Sequence, residues 1–218
     1  MSRPFVIAVD GPAASGKGTV AARLAELQRL PYLDTGTLYR AVGLAVLRAG
    51  ADPADPEAAA EAARALDPAT IDPEAIRTPE AGEAASQAAT HADVRAALLE
   101  LQRAFAAQPT GAVLDGRDIG TVIAPKAPAK LFVTAAPEVR AHRRHLQHLS
   151  RGEHLTLAAV LDDIRRRDER DAGRGAAPMT QAPDAVLLDT SDLTIEQAVD
   201  AARRIVEQAR ARWSGPTG

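Results

Sequence analysis

The chain has 218 residues, of which 46% are hydrophobic, so it is long and apolar enough for one α/β domain with small insertions and excludes wholesale disorder. Lys and Arg number 26 against 29 Asp and Glu, a net charge of −3, and 3% of residues are aromatic, which leaves no basic face or stacking platform for a nucleic acid polymer. With no cysteine, a disulfide framework and thiolate metal sites are also excluded.

The chain begins MSRPFVIAVD, an apolar run too short for a signal peptide, and no run of about 18 apolar residues follows. A cytoplasmic protein without a membrane span is expected. Phe5 to Val9 is β-branched enough to read as a buried strand. Asp10, Gly11, Pro12, Ala13, Ala14, Ser15, Gly16 and Lys17 follow, and from Thr19 onward Val20, Leu24, Leu27 and Leu30 fall at helical spacing. Strand, glycine-bounded loop and helix are the context of a P-loop. Gly11 and Gly16 let successive N–H groups turn inward on a phosphate, the helix N-terminus adds to that anion site, and Lys17 supplies a mobile point charge. The pattern G-x-x-x-x-G-K-[ST] is met through Lys17, but Gly18 stands next, with Thr19 after it. A bound nucleoside triphosphate is expected.

Pro31 to Leu33 reads as a second strand, ending in Asp34-Thr35-Gly36-Thr37-Leu38-Tyr39-Arg40 and a helix through Val42 and Leu47. Thr35 is a candidate cap for that helix. The hydroxyl, tyrosine and arginine either hold a second phosphate or form a capped helix with Tyr39 in the core and Arg40 solvated. Residues 49–82 are alanine-rich and interrupted by Pro53, Pro56, Pro68, Pro73 and Pro79. One helix, Glu57 to Leu66, is expected there, opened by Asp55-Pro56, within an insertion that packs over the site and is less rigid than the rest. Helical pattern resumes at Glu83, with Val94, Leu98, Leu101 and Phe105 as an apolar stripe, on which Ser86 and Arg95 are merely polar positions.

Ala112 to Leu114 reads as a third strand delivering Asp115-Gly116-Arg117-Asp118 at its carboxyl end, where ligands sit in open α/β sheets. Lys130 to Thr134 is a fourth strand, and after Pro137 a cationic helix carries Arg140, His142, Arg143, Arg144 and His145. A helix through Leu157, Val160, Leu161 and Ile164 runs into Arg165 to Arg174, five arginines in ten residues. That run reads either as a solvated face with i,i+4 pairs or as a mobile arginine-bearing lid hinged at Gly173 and Gly175. Ala185 to Asp189 is the last strand, Ser191 to Glu196 opens the closing helix, and the WSGPTG tail is expected to fray.

Together GPAASGKGT, YLDTGTLYR, EAASQAATHADVRAALLELQRAF, DGRDIGTVIAP, RRRDERDAGR and AVLLDTSDLTIEQ resemble the bacterial cytidylate kinases, in order and over nearly the whole chain. Residues 52–77 depart, being shorter than the family's monophosphate-binding insert and without its obvious strands. The resemblance implies an α/β P-loop NTPase fold: a five-stranded parallel sheet flanked by helices, with a monophosphate-binding insert and an arginine-rich lid. One kinase domain is expected, with its core at 1–48, 108–149 and 176–214, the insert at 49–107 and the lid at 150–175.

By that resemblance the loop from Gly11 to Thr19 holds ATP, and Thr35, Tyr39, Arg40 and Arg117 surround the acceptor's phosphate. Ser86, Arg95 and Asp118 read the cytosine ring, Arg95 facing its acceptor atoms and Asp118 its amine. Arg167 and Asp171 lie near the ribose, and Arg174 reaches the phosphates from the lid. The implied reaction takes ATP and CMP or dCMP to ADP and CDP or dCDP, with Lys17, Arg117, Arg167 and Arg174 as its catalytic cations. Mg²⁺ accompanies ATP, with Thr19 as its protein ligand and Asp10 or Asp115 acting through water. A monomer with small-molecule partners only is expected. The alternatives are another P-loop small-molecule kinase, for adenylate, UMP/CMP or shikimate, and a non-enzymatic nucleotide-dependent switch. N-K-x-D, the guanine-recognition motif of a GTPase-type switch, is absent.

Overall fold

The computed structural model describes residues 4–175 and 177–213. All but the first residue of the WSGPTG tail therefore lies outside the described residues. Five parallel strands form one sheet in the order β2-β3-β1-β4-β5: β1 Val6–Asp10, β2 Tyr32–Asp34, β3 Ala112–Gly116, β4 Ala129–Thr134 and β5 Val186–Asp189. β1 is central and buried throughout, as a strand covered on both faces must be. Asp10 pairs in register with Gly116, so the loops leaving β1 and β3 emerge side by side. This places the candidate phosphate loop beside the Asp115–Asp118 segment.

On one face, α1 (Lys17–Gln28) and α8 (Ile195–Arg212) cover Ile7, Val9, Val113 and Leu131. The other face buries Ala8, Leu114, Ile119 and Ile123. The apolar stripe of α1 is Val20, Ala21, Leu24 and Ala25, and Leu27, expected in the core, is 51% exposed. Two alanines carry the buried face in its place, one position round the helix. A Thr194–Gln197 capping box opens α8 at Ile195.

Helix α2 (Thr35–Arg48) starts one residue earlier than a Thr35 cap requires. Asp34 is the cap, accepting from the Gly36 N–H at 2.9 Å, while Thr35 Oγ1 donates to the Asp115 carbonyl at 2.7 Å. Thr35 thus joins the ends of β2 and β3.

Between residues 49 and 82 lie α3 (Pro56–Arg64) and two single 3₁₀ turns, Pro68–Thr70 and Ala75–Arg77, with no strand. No residue of this stretch lines the cavity at the carboxyl ends of the strands, and it reaches that site at Arg40, whose Nη1 donates to the Ile76 carbonyl at 3.2 Å. Ala59, Ala60 and Ala63 bury themselves against Val42 and Val46 of α2 and against Val94 and Leu98. The helical pattern expected from Glu83 is two helices, α4 (Pro79–Ala88) and α5 (Ala92–Ala106). The buried line of α5 runs Val94, Leu98, Gln102 and Ala106, so Leu101 is 37% exposed. Gly43 lets α4 lie against α2 at backbone distance: a Cβ there would sit 2.7 Å from the Ala85 nitrogen.

The last two helices before β5, α6 (Pro137–Leu149) and α7 (Leu157–Gly173), form a hairpin over the carboxyl edge of the sheet. α7 is solvated on one side only, where Arg165, Arg166 and Glu169 are exposed. Its Asp171 pairs with Arg117 at 2.7 Å, its Asp168 with Arg140, and its Arg170 with Glu83 of α4 at 2.8 Å.

Candidate active site

One cavity of about 340 Å³ opens at the carboxyl ends of β1, β2 and β3. Ala13, Ala14, Ser15, Gly16, Lys17, Gly18 and Thr19 form one wall. The loop backbone alternates in hand: Ala14 has φ 59° and Gly16 φ 88°, the pattern that turns consecutive N–H groups toward one point. Gly11 and Pro12 do not line the cavity. A Cβ on Gly11 would meet the Val133 carbonyl oxygen at 2.0 Å, so this glycine lets the loop leave β1 hard against β4. Gly18 is explained as well. Its Cβ would lie 3.1 Å from Asp115 Oδ2, so the serine or threonine of the plain motif fits only if that carboxylate gives by a few tenths of an ångström.

Thr35, Tyr39, Arg40, Ser86, Arg95, Arg117, Asp118, Arg167, Asp171 and Arg174 all line the same cavity. Its charges are unevenly matched. Arg117 pairs with Asp171, and Arg95 with Asp118. Lys17, Arg40, Arg144, Arg167 and Arg174 have no carboxylate within ion-pair distance among the described residues. Burial, then the neighbouring Arg167 and Arg144, pushes Arg40 down to about 10. Burial and Arg117 lower both Lys17 and Arg167, and burial lowers Arg174. Burial lowers Arg117 too, but Asp171, with Asp115 and Asp34, more than offsets it, so Arg117 moves the other way. Clustered cations that destabilise one another call for a polyanion.

A second set of groups lies further in. Arg95 Nη2 donates to Asp118 Oδ2, and its guanidinium stands 5.9 Å from the Tyr39 ring centroid. Tyr39 is thus drawn to the Arg95–Asp118 pair as well as lining the phosphate side. Ser86 Oγ, buried in the same lining, has no partner among the described residues. Unpaired buried polar atoms aimed into a cavity are what a hydrogen-bonding ring would satisfy.

Asp10 and Asp115 divide their work. Both oxygens of Asp10 accept backbone N–H groups, from Ile119 and Gly120, each at 2.7 Å, which ties β1 to the wide turn Ile119–Ile123. Asp10 is therefore spent on structure. Asp115 keeps Oδ1 buried and unpartnered near Lys17. Burial raises Asp115 from 3.8 to about 7, Lys17 opposing, and raises Asp10 to about 6 against its two N–H bonds. Protons are then bound by the folded chain and not the unfolded one between about pH 4 and pH 7, so the ligand-free chain loses stability as pH rises through that window. Asp115→Asn reduces the loss, and thermal melts of both chains across the window check it. An equal slope in the two chains contradicts the assignment.

Asp34, Arg144, Gln147, Asp163 and Ile164 also line the cavity and are not expected there from sequence. Asp34 is legible only as a turn residue. Arg144 sits in an evenly basic helix, where nothing in the pattern selects the arginine that faces inward.

Residues 7–208 match the family model described as cytidylate kinase. The chain is 67% identical over 214 residues to the cytidylate kinase of Caulobacter sp. (strain K31), covering 98% of this chain and 99% of that one. It is 66% identical to that of Xanthobacter autotrophicus (strain ATCC BAA-1158 / Py2), over 95% and 99% of the two chains. It is 60% identical to that of Rhodospirillum rubrum, over 93% and 97%. A crystal structure of an uncharacterized protein from Eubacterium ventriosum ATCC 27560 shares the fold, with a TM-score of 0.56 at 14% identity, over 94% of this chain and 99% of that one. A match that spans nearly the whole chain, and a cavity where the loop, the paired carboxylates and the free arginines meet, place this protein in the cytidylate kinase family.

Proposed function

We propose that this chain transfers the terminal phosphoryl group of ATP to CMP or dCMP, giving ADP and CDP or dCDP. The observation that carries the reading is the convergence of five cations without carboxylate partners, Lys17, Arg40, Arg144, Arg167 and Arg174, on a cavity walled by a P-loop. Two phosphate chains brought end to end repel each other, and those cations offset the repulsion.

An oxygen of the acceptor phosphate attacks the terminal phosphorus of ATP, and the bond to the bridging oxygen of ADP breaks as the new one forms. The acceptor is a dianion near neutral pH, so no general base is needed, and alignment with charge neutralisation supplies the rate. The loop from Ala13 to Thr19 holds ATP through its N–H groups and Lys17, with Gly11 and Pro12 setting its exit from β1. Thr35, Arg40 and Arg117 hold the acceptor phosphate; Arg117, charged and fixed by Asp171, gives it a planar fork. Arg167 and Asp171 flank the ribose side, and Arg174 closes over the phosphates. Ser86, Arg95 and Asp118, beside Tyr39, take the cytosine.

Mg²⁺ fits beside Lys17, where Asp115 Oδ1 is buried without a partner and Thr19 faces the cavity. Among the described residues no cluster of three His, Cys, Asp or Glu could hold a metal alone. That suits an ion carried chiefly by phosphate oxygens and water. When bound, it neutralises charge on the ATP phosphates. The division into a core (1–48, 108–149, 176–214), an insert (49–107) and a lid (150–175), a monomeric state and a cytoplasmic place belong to the same proposal.

ADP release from ATP, measured with CMP, dCMP, UMP, AMP and shikimate in parallel, tests it. CMP and dCMP are expected to exceed the rest. Faster release with AMP or shikimate assigns another small-molecule kinase, and no release with any acceptor favours a nucleotide-dependent switch.

A further inference from the structure

Two arginines of α6 lie behind the phosphate loop and outside the cavity, and neither is spent on a surface ion pair. Arg140 is 3% exposed. Its Nε donates to the Ala135 carbonyl at 2.9 Å, and Nη1 to the Ala13 carbonyl at 3.2 Å. The same guanidinium grips Asp168 of α7 at 3.1 and 2.5 Å. Arg143 donates through Nη2 to the Thr190 carbonyl at 2.6 Å and through Nη1 to Thr190 Oγ1 at 2.9 Å, with the Ser15 carbonyl at 3.5 Å from Nη1. Thr190 Oγ1 shares its proton between the Ser15 carbonyl, at 2.9 Å, and the Thr134 carbonyl, at 3.1 Å.

The carbonyls so held belong to Ala13 and Ser15, the residues just before Ala14 and Gly16, the loop's two positions of positive φ. In a planar trans peptide the C=O and the next N–H point in opposite directions. Drawing the Ala13 and Ser15 carbonyls outward therefore turns the Ala14 and Gly16 N–H groups inward. Left-handed backbone at Ala14, which has a Cβ, costs free energy and persists only where its surroundings impose it.

We infer that Arg140 and Arg143, with Thr190, are positioning residues that hold the phosphate loop in its anion-binding form from behind. They touch no substrate. The inference rests on the loop binding a triphosphate, which the unsubstituted chain tests by itself. Their bonds exist before any ligand arrives, so the ordering of the loop is settled on folding.

Calorimetric titration of ATP with Mg²⁺, of inorganic tripolyphosphate and of CMP into the full chain tests the inference. The variants are Arg143→Lys, Arg143→Met, Thr190→Val and the Arg143→Lys/Thr190→Val pair, each shown folded by a thermal melt. Arg143→Lys keeps the charge and loses the fork, and Thr190→Val keeps charge and bulk and loses the hydroxyl. Each single change is expected to weaken both triphosphate ligands about tenfold, on the order of one charge-assisted contact, with CMP affinity held within about twofold. The pair should weaken them less than the two single effects combined, because both act on the Ser15 carbonyl. Wild-type triphosphate affinity in Arg143→Lys and Thr190→Val overturns the inference, even if Arg143→Met binds weakly, since the arginine then acts as a charge alone. Equal loss of CMP affinity overturns it too, as general damage. Failure of the unsubstituted chain to bind either triphosphate ligand instead overturns the reading of the loop.

Discussion

Lys17→Ala lowers turnover by about a hundredfold to a thousandfold and leaves the fold intact. The size follows from where the charge is. Lys17 lines the cavity with no carboxylate at ion-pair distance among the described residues, and burial together with Arg117 presses against its protonated form. Its ammonium is therefore held at some cost in the empty protein, and phosphate is the partner that repays it. Removing it deprives the transferring group of a charge worth roughly 3–4 kcal/mol in the transition state. The fold should not suffer, because no buried ion pair is broken. Steady-state CDP formation and a thermal melt read the two halves, and a variant that keeps more than about a third of wild-type turnover sinks the assignment.

The second large effect concerns base choice. Asp118 gives one oxygen to Arg95, which leaves Oδ1 and the remaining guanidinium N–H groups for a ligand. Cytosine offers an amine donor beside a ring nitrogen and a carbonyl, both acceptors. Uracil sets a carbonyl where the amine stood. A carboxylate only accepts and a guanidinium only donates, so the pair matches cytosine and opposes uracil. Each buried group left unpaired costs roughly 1–3 kcal/mol. Asp118→Asn offers the uracil carbonyl an N–H, so the CMP:UMP ratio of kcat/KM falls at least about tenfold, mainly through lost CMP activity. Arg95→Met weakens CMP use and leaves ATP affinity unchanged. Competition between the two acceptors measures the ratio, and an unchanged ratio in both variants moves the cytosine site elsewhere.

The parts of this protein legible in its sequence are those whose chemistry is local. Strand, glycine spacing and Lys17 declare the phosphate loop because every requirement falls within a dozen residues. β1 and β3 are legible because burial on both faces leaves unbroken apolar runs; the edge strands β2 and β5 are legible as apolar runs although β2 is half-buried and Val186 and Leu187 are exposed. β3 predicts a ligand end because Asp115 to Asp118 crowd charge around a glycine. Alanine blurs the rest: Ala21 and Ala25 occupy the core side of α1, so counting the larger residues put Leu27 there. Likewise Leu101 attracted a core assignment that Gln102 holds. Partnerships across long separations leave no local trace. Arg95 and Asp118 are 23 residues apart, and Arg140 and Asp168 are 28 apart. A basic helix such as α6 reads as solvated until its fold shows Arg140 and Arg143 turned inward, and Thr35 read as a cap because its bond to the Asp115 carbonyl, 80 residues on, is invisible locally.

The absent side chain of Gly43 fixes one wall of the cavity. At Gly43 α4 lies backbone to backbone on α2, with no side chain between them there whose rotamer could exchange and let it slide. α2 in turn is fastened to the sheet through Thr35. Ser86, carried by α4, is therefore held at a set distance from the phosphate loop, and that side of the cavity is as stationary as the sheet. The helical hairpin meets α4 and its neighbouring turn through Arg170 with Glu83 and through Arg151 with the Arg77 carbonyl, contacts near the surface that are worth little each. On the proposed division, opening then falls to α7 against that fixed wall, since α6 is itself pinned to the phosphate loop through Arg140 and Arg143.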